Sequence, residues 1–275
     1  MTEAQKFGHF WTIQKLNIVE KYLDFYTIAL KKQAFKLCYI DAFSGSGNVT
    51  LKDGQVVDGS ALRALKYPFD YYFFFEKNES YYRALSEKIK ASLPEKSKRI
   101  QIINGDCNEL LQKIDTFPWF NKSLRGVIFL DPCAMELSWS CLEKISKTQA
   151  FDVWYLFPLS AVTRNLPTDG DIRPATENTL TKVFGAPDWK SKIYTESPQK
   201  TLFGEPNMER IPVNGLRQYI LGRLKETFCT VAPNPALLKN EKNSPLFLLC
   251  FAMNNPGKNA RELSLRVANH ILEHI

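Results

Sequence analysis

Five apolar β-type segments alternate with helical segments between residues 37 and 158, and this alternation constrains the fold more than any other feature. The predicted strands are LCYIDAF (37–43), YYFFFE (71–76), RIQIING (99–105), GVIFLD (126–131) and FDVWYLFP (151–158). Helices are predicted between them, at 58–66, 79–93, 108–114 and 138–147. Because consecutive β–α units pack as a parallel sheet with helices on both faces, the sequence predicts a Rossmann-like α/β fold.

The segments on either side of this core extend the prediction to the whole chain. Residues 10–32 carry apolar residues at three- and four-residue steps, which predicts an N-terminal helix within residues 1–33. After a predicted helix at 214–227, the β runs 227–233 and 245–253 are joined by a polar turn and predict an antiparallel pair. A last helix is predicted at 259–274. We therefore expect one domain over 1–275, with a seven-stranded, mostly parallel sheet that ends in a C-terminal antiparallel hairpin.

Residues 159–213 interrupt the β–α alternation with a polar stretch that is rich in proline. Helices are predicted near 175–184 and 187–194. Long irregular stretches in compact domains often form lids or binding loops. We expect this inserted region to contact a substrate or a partner.

Acidic residues end four of the predicted strands or follow them directly, namely Asp41, Glu76, Asp106 and Asp131. In open α/β sheets, ligands bind in the crevice at the carboxyl ends of the strands. The four carboxyl groups are therefore expected to meet at one edge of the sheet.

A glycine loop, Asp41-Ala-Phe-Ser-Gly-Ser-Gly47, follows the first strand of this series. Thr50 stands where a dinucleotide fingerprint would need its third glycine. An acid ahead of the loop is unsuited to a pyrophosphate and suits the cationic end of S-adenosylmethionine. Glu76 would accept hydrogen bonds from the ribose and Asp106 from the adenine amino group, although each acid could instead be a turn cap or an exposed strand end. The predicted cofactor-binding residues are Asp41, Phe43, Gly45, Gly47, Glu76 and Asp106.

Asp131 and Pro132 end the fourth strand of the series and are the predicted catalytic residues. Amino-group methyltransferases carry an Asp/Asn-Pro-Pro-aromatic tetrad here, whose first side chain orients the target amine and whose ring stacks on a flipped base. This chain reads Asp131-Pro132-Cys133-Ala134, without the second proline and the aromatic residue. Cys133 as a nucleophile would require further partners that the sequence does not show.

Other residues could supply the missing substrate contacts. Trp139, or Tyr155 and Phe157 after it, would offer a stacking face, although Trp139 could equally belong to the core. Arg164 follows the fifth strand, where it would hold a phosphate or carboxylate, or form a surface salt bridge. Trp139 and Arg164 are the predicted substrate-binding residues.

The charge balance favours a polyanionic partner. The chain carries 36 Lys and Arg against 29 Asp and Glu, a formal net charge of +7. Lys and Arg release counterions from phosphate backbones, so nucleic acid is the expected partner, with a solvated mixed-charge surface as the alternative. Six cysteines without zinc-type spacing, and no apolar signal core at the N-terminus, indicate a cytoplasmic protein with reduced thiols and no membrane partner.

Several of these motifs together resemble the three-Cys-motif partner (TcmP) proteins, a bacterial family with a methyltransferase-like core. The resemblance rests on Lys15 to Leu23, Tyr39 to Gly47, Gly59-Ser60, Phe75-Glu76, Leu130 to Pro132, Trp139 and Arg164. It implies a class I methyltransferase fold and a genetically linked partner with a three-cysteine motif. A weaker similarity is to ribosomal RNA adenine methyltransferases, which carry Asp-Pro-Pro-Tyr where this chain has Asp-Pro-Cys-Ala.

Three functional hypotheses follow from these observations. The first is an S-adenosylmethionine-dependent methyltransferase that acts on nucleic acid. The second is a catalytically inactive methyltransferase-fold module that partners another protein, in phage defence or DNA processing. The third is a methyltransferase that acts on a small molecule, whose activity would depend little on salt.

Overall fold

Strands and helices alternate along most of the computed structural model, which describes residues 5–8, 10–196 and 208–274. The strands in this part of the chain are β1 (Gln5–Gly8), β2 (Lys36–Asp41), β3 (Asn48–Leu51), β4 (Val56–Asp58), β5 (Tyr71–Glu76), β6 (Ile100–Asn104), β7 (Leu124–Leu130), β8 (Phe151–Phe157), β9 (Tyr194–Glu196), β10 (Met208–Arg210), β11 (Thr230–Val231), β12 (Ala236–Lys239) and β13 (Pro245–Met253). The helices are α1 (Phe10–Leu30), α2 (Ser60–Ala64), α3 (Glu79–Ser92), α4 (Cys107–Leu111), α5 (Trp139–Thr148), α6 (Leu159–Arg164), α7 (Pro174–Phe184), α8 (Trp189–Ile193), α9 (Val213–Thr227) and α10 (Lys258–Glu273).

One large sheet has the strand order β11-β13-β8-β7-β2-β5-β6, with β12 also paired to β13. The five strands from β8 to β6 in this order are parallel to one another. The strand β13 runs antiparallel to β8, β11 and β12. This order, with an antiparallel strand inserted beyond the fifth parallel one, is a Rossmann-like class I methyltransferase fold, and the predicted fold class is confirmed.

Apolar side chains on both faces of the sheet explain why its central strands are buried along nearly their whole length. One face packs against α1, α2, α3 and α10, and the other packs against the helices from α4 to α9. In β8 every residue from Phe151 to Phe157 is buried. Parallel strands covered on both faces are continuously apolar in this way, which is the pattern that made these strands predictable.

A buried polar cluster ties α1 and α10 to the sheet. The hydroxyl of Tyr22 donates to Asp152 Oδ2 over 2.6 Å, and the hydroxyl of Ser264 donates to the same oxygen over 3.2 Å. Burial raises the pKa of Asp152 to about 6, while both hydroxyl donors lower it. Because a buried carboxyl group without donors is costly, these two bonds help to fix the seating of both helices.

The sheet has eight strands rather than the predicted seven. The extra strand, β12, lies in the connection before β13, for which a polar turn was predicted. The two strands of the predicted hairpin also pair over fewer residues than expected, because β11 contains only Thr230 and Val231. Pairing with β13 supplies the hydrogen bonds that let such short segments form strands.

Two further regions contain strands or helices where loops were predicted. A hairpin of β3 and β4 follows the glycine loop, with β1 parallel to β3. Within the predicted insertion, α6 starts directly after β8, and β9 pairs with β10. The predicted helices near 175–184 and 187–194 correspond to α7 and α8, whereas residues 197–207 of the insertion lie outside the described residues. No helix in the described part of the chain combines the length and apolarity needed to cross a membrane.

Candidate functional site

A cleft of about 770 Å³ lies at the carboxyl ends of the parallel strands. Residues that follow β2, β5, β6 and β7 form its walls, and α1 and the start of β13 cover one end. Glu76, Asp106 and Asp131 all line it. The parallel pairing of these strands brings the acids together, since each strand runs through the sheet in the same direction.

The glycine loop after β2 forms the floor of the cleft. Phe43 and Gly47 line the cleft, and the backbone N–H of Gly45 donates to Glu76 Oε2 over 2.8 Å. Gly45 has a φ of +63° and Gly47 a φ of +88°, a region that side chains disfavour. At Gly47 a Cβ atom would also lie 2.9 Å from Leu85 Cδ1. The loop can therefore pass this closely under the cleft only with glycine at position 47.

Asp41 lies beneath the loop rather than in the cleft wall and is fully buried. Its Oδ1 accepts the backbone N–H of Phe43 over 3.2 Å, while its Oδ2 is buried without a hydrogen bond of good geometry from the described residues. Burial raises the pKa of Asp41 to about 7, and the hydroxyl of Ser60 partly offsets this effect. A cationic ligand near this buried carboxyl group would stabilise its ionised form.

Glu76, at the end of β5, is held in a defined orientation by backbone donors. Its Oε2 accepts from Gly45, and its Oε1 accepts from the backbone N–H of Asn78 over 2.7 Å. Burial raises the pKa of Glu76 above its ordinary value, although these N–H groups act in the opposite direction. A carboxylate offers about four acceptor positions, so the side chain retains acceptor capacity toward the cleft.

Asp106 has a structural role as well as a place in the cleft wall. Its Oδ1 caps α4 by accepting the backbone N–H of Asn108 over 2.9 Å, and its Oδ2 accepts from Lys77 Nζ over 2.8 Å. The hydrogen bond from Lys77 lowers the pKa of Asp106 below its ordinary value. Asp106 is therefore an ionised acceptor at neutral pH, and the turn-cap alternative and the ligand-binding alternative are compatible.

The opposite end of the cleft contains an ion pair and two aromatic rings. Lys15 Nζ of α1 forms an ion pair with Asp131 Oδ2 after β7, and the same Nζ lies 5.0 Å from the centroid of the Trp11 ring. Trp11 packs against Phe247 of β13, with ring centroids 4.7 Å apart. Pro132 also lines this end of the cleft.

Lys15, Trp11 and Phe247 were not among the predicted site residues. A signal for Lys15 was present, because it falls on the buried stripe of α1, seven residues before Tyr22. A lysine on an apolar stripe requires a buried partner or a polar cleft. The position of Trp11 in its helix and the position of Phe247 near the start of its strand gave no comparable indication of a place in the cleft.

The two predicted substrate-binding residues do not line the cleft. Trp139 is 1% exposed, and its Nε1 donates to Thr227 Oγ1 over 3.0 Å. It packs so closely on Gly185 that a Cβ there would lie 2.4 Å from the Trp139 side chain. A ring enclosed in this way belongs to the core and offers no stacking face, which corrects that expectation.

The remaining candidates from the same region also lie elsewhere. Tyr155 and Phe157 are buried in the core cluster on one face of the sheet. Arg164 is exposed at the end of α6, where its guanidinium donates to Ser160 Oγ over 3.1 Å. None of the three lines the cleft.

Cys133 does line the cleft, next to Pro132. Desolvation raises the pKa of the thiol above its ordinary value, with further contributions from Glu136 and Asp131. Since the thiolate is the nucleophilic form, these neighbours reduce the reactive population at neutral pH. The surroundings of Cys133 oppose a nucleophilic role.

Comparisons with known proteins give distant structural similarity only. No protein-family model matches the chain, and no curated protein matches it. A protein of Legionella pneumophila is 14% identical with a TM-score of 0.49, over 96% of this chain and 93% of that one. Trm1 from Pyrococcus horikoshii, solved in complex with S-adenosyl-L-methionine, is 13% identical with a TM-score of 0.44, over 98% of this chain and 59% of that one. The methyltransferase domain of bacterial CtHen1-C is 13% identical with a TM-score of 0.40, over 86% of this chain and all of that one.

Proposed function

We propose that the protein is an S-adenosylmethionine-dependent methyltransferase that acts on nucleic acid. The observation that carries this proposal is the set of acidic side chains around the glycine loop, at the carboxyl edge of a class I methyltransferase sheet. Asp41 lies under the loop, Glu76 and Asp106 line one end of the cleft, and Asp131 lines the other.

The carboxyl groups around the cleft fit the chemistry of this cofactor. Glu76 would accept hydrogen bonds from the ribose hydroxyls, and Asp106 would accept one from the adenine amino group. Asp41, buried beneath the loop, would supply negative charge near a sulfonium, and a cation there would in turn lower the raised pKa of Asp41. The cleft volume of about 770 Å³ falls in the usual range for a small-molecule site. When bound, the cofactor supplies a methyl group attached to a positively charged sulfur.

The other end of the cleft would hold the methyl acceptor. Asp131 and Pro132 follow β7 directly, so a rigid central strand fixes their position. Acceptor positioning of this kind accounts for a large share of the rate in group-transfer reactions. Of the predicted catalytic residues, Asp131 is the one whose side chain can hydrogen-bond to the acceptor.

The excess of basic residues supports nucleic acid as the substrate. A formal net charge of +7 favours association with a phosphate backbone, and this association weakens as salt is added. We expect methyl transfer to nucleic acid to decrease steeply with ionic strength. Transfer that is insensitive to salt would favour a small-molecule acceptor.

Calorimetric titration with S-adenosylmethionine and S-adenosylhomocysteine tests the cofactor site. We expect micromolar binding by the wild-type protein. Glu76→Gln should bind at least about tenfold more weakly than the wild type, because a hydrogen bond to a charged group contributes about 1.5–3 kcal/mol. Glu79→Gln is the matched control, since Glu79 lies three residues away in α3 and pairs with Arg83 on the surface. No binding of either ligand by folded wild-type protein would refute the proposal.

A second candidate function is a methyltransferase-fold module that acts through a partner protein. The sequence Asp131-Pro132-Cys133-Ala134, without the usual second proline and aromatic residue, favours it. The resemblance to the TcmP family suggests that the partner is a genetically linked protein with a three-cysteine motif. Copurification with that protein, together with cofactor binding but no methyl transfer by the complex, would support this candidate over the enzyme.

A further inference from the structure

The ion pair between Lys15 and Asp131 bears on which atom of the substrate is methylated. The two side chains are only 10% and 19% exposed, and both line the cleft at its acceptor end. They come from residues 116 apart in the chain, one on α1 and one after β7. A cation is thereby placed where the methyl acceptor must lie if the proposed cofactor site is correct.

An exocyclic amine is poorly matched to this arrangement. As nitrogen attacks a methyl group it develops positive charge, so its site needs free carboxylate or carbonyl acceptors and no cation. Here one oxygen of Asp131 is already bonded to Lys15, and the ammonium group would repel the developing charge. The missing second proline and aromatic residue after Pro132 agree with this reading.

A hydroxyl acceptor fits this arrangement, because its oxygen develops negative charge as the proton leaves. We infer that the protein methylates a hydroxyl oxygen, with Asp131 as the base and Lys15 as the cation that stabilises the developing oxyanion. This inference rests on the proposed methyltransferase function. The oxygen–methyl bond forms as the carbon–sulfur bond breaks, the bonding electron pair stays on sulfur, and the hydroxyl proton passes to Asp131. The ion pair engages Oδ2, so Oδ1 is the oxygen that receives the proton.

For a nucleic-acid substrate, a hydroxyl acceptor selects RNA. Internal nucleotides of DNA carry no free hydroxyl group, whereas every internal ribose of RNA carries a 2′-hydroxyl. The Trp11 ring lies beside Lys15 and packs against Phe247, with ring centroids 4.7 Å apart, and both rings line the cleft. They would offer an adjacent base the stacking surface that the residues after Pro132 do not provide.

The test transfers label from methyl-tritiated S-adenosylmethionine to total cellular RNA and then hydrolyses the RNA in alkali. A 2′-O-methyl group blocks cleavage of the neighbouring phosphodiester, so we expect the label in alkali-stable dinucleotides. Lys15→Met and Asp131→Asn should each lower kcat by about 100-fold or more. Lys15→Arg should recover part of the rate, because it restores the positive charge.

Two controls separate chemistry from folding. Calorimetry should show unchanged cofactor affinity for Lys15→Met, and Lys21→Met, an exposed lysine on the same helix, should keep the wild-type rate. Label in methylated bases, label in DNA, or an undiminished rate for Lys15→Met would overturn the inference. Cofactor binding without any transfer to RNA would also overturn it while leaving the cofactor site intact, whereas absent cofactor binding would refute the proposed function itself.

Discussion

The buried carboxyl group of Asp41 should make the stability of this protein depend on pH in a calculable way. Burial raises its pKa from 3.8 to about 7 in the folded protein. The folded state therefore binds this proton more tightly than the unfolded chain does. The stability contributed by neutral Asp41 is fully present below about pH 3.8 and is lost as the pH rises through about 7.

The variant Asp41→Asn isolates this effect, because asparagine keeps an oxygen for the backbone N–H of Phe43 and does not titrate. With these two pKa values, the free energy of unfolding of the wild type should fall by about 2.5 kcal/mol between pH 5 and pH 8. The slope is about 1.4 kcal/mol per pH unit where the folded and unfolded states differ by one bound proton. The free energy of unfolding of Asp41→Asn minus that of the wild type should rise by the same amount. Urea unfolding of both proteins across this range, without cofactor, measures the difference.

A matched control is Asp53→Asn. Asp53 accepts the backbone N–H of Gln55, two residues on, in the same local pattern as Asp41 and Phe43, but on the surface. Its carboxyl group lies in water in both states, so the offset from wild type should be nearly constant with pH. A constant offset for Asp41→Asn as well would refute the argument that burial raises the pKa of Asp41.

Three further predictions concern the loop and the core. Gly47→Ala should lower the free energy of unfolding by more than Gly54→Ala, which has a similar φ of +84° but no atom within 4 Å of the added Cβ and should cost only about 1–2 kcal/mol; equal losses would show that packing under the loop does not matter. Tyr22→Phe should cost about 1–3 kcal/mol in urea unfolding, because it removes a donor from the buried carboxyl group of Asp152; an unchanged midpoint would contradict that role. Trp139→Phe should lower stability by about 2 kcal/mol and leave cofactor affinity unchanged, as expected for a core residue; calorimetry that shows weaker cofactor binding at unchanged stability would contradict this assignment.

The parallel part of the fold was predictable from the sequence because its signals are local. The segment YYFFFE matches β5 residue for residue, and the segment FDVWYLFP matches β8 to within one residue. Continuous apolar runs arise wherever helices cover both faces of a strand, and they are visible without knowledge of the partners. The elements that were missed, such as β12 and the β3–β4 hairpin, are short and depend on pairing with other segments for their hydrogen bonds.

The candidate site was likewise predictable only in part. The sequence by itself determined that Asp41, Glu76, Asp106 and Asp131 would meet at one edge, because strand direction in a β–α series follows from the order of the elements. Only the tertiary structure decided that Lys15 pairs with Asp131 and that Trp139 faces the core rather than the cleft. These outcomes depend on how helices far apart in sequence rotate and pack against the sheet, and residue type and spacing along the chain do not specify that rotation.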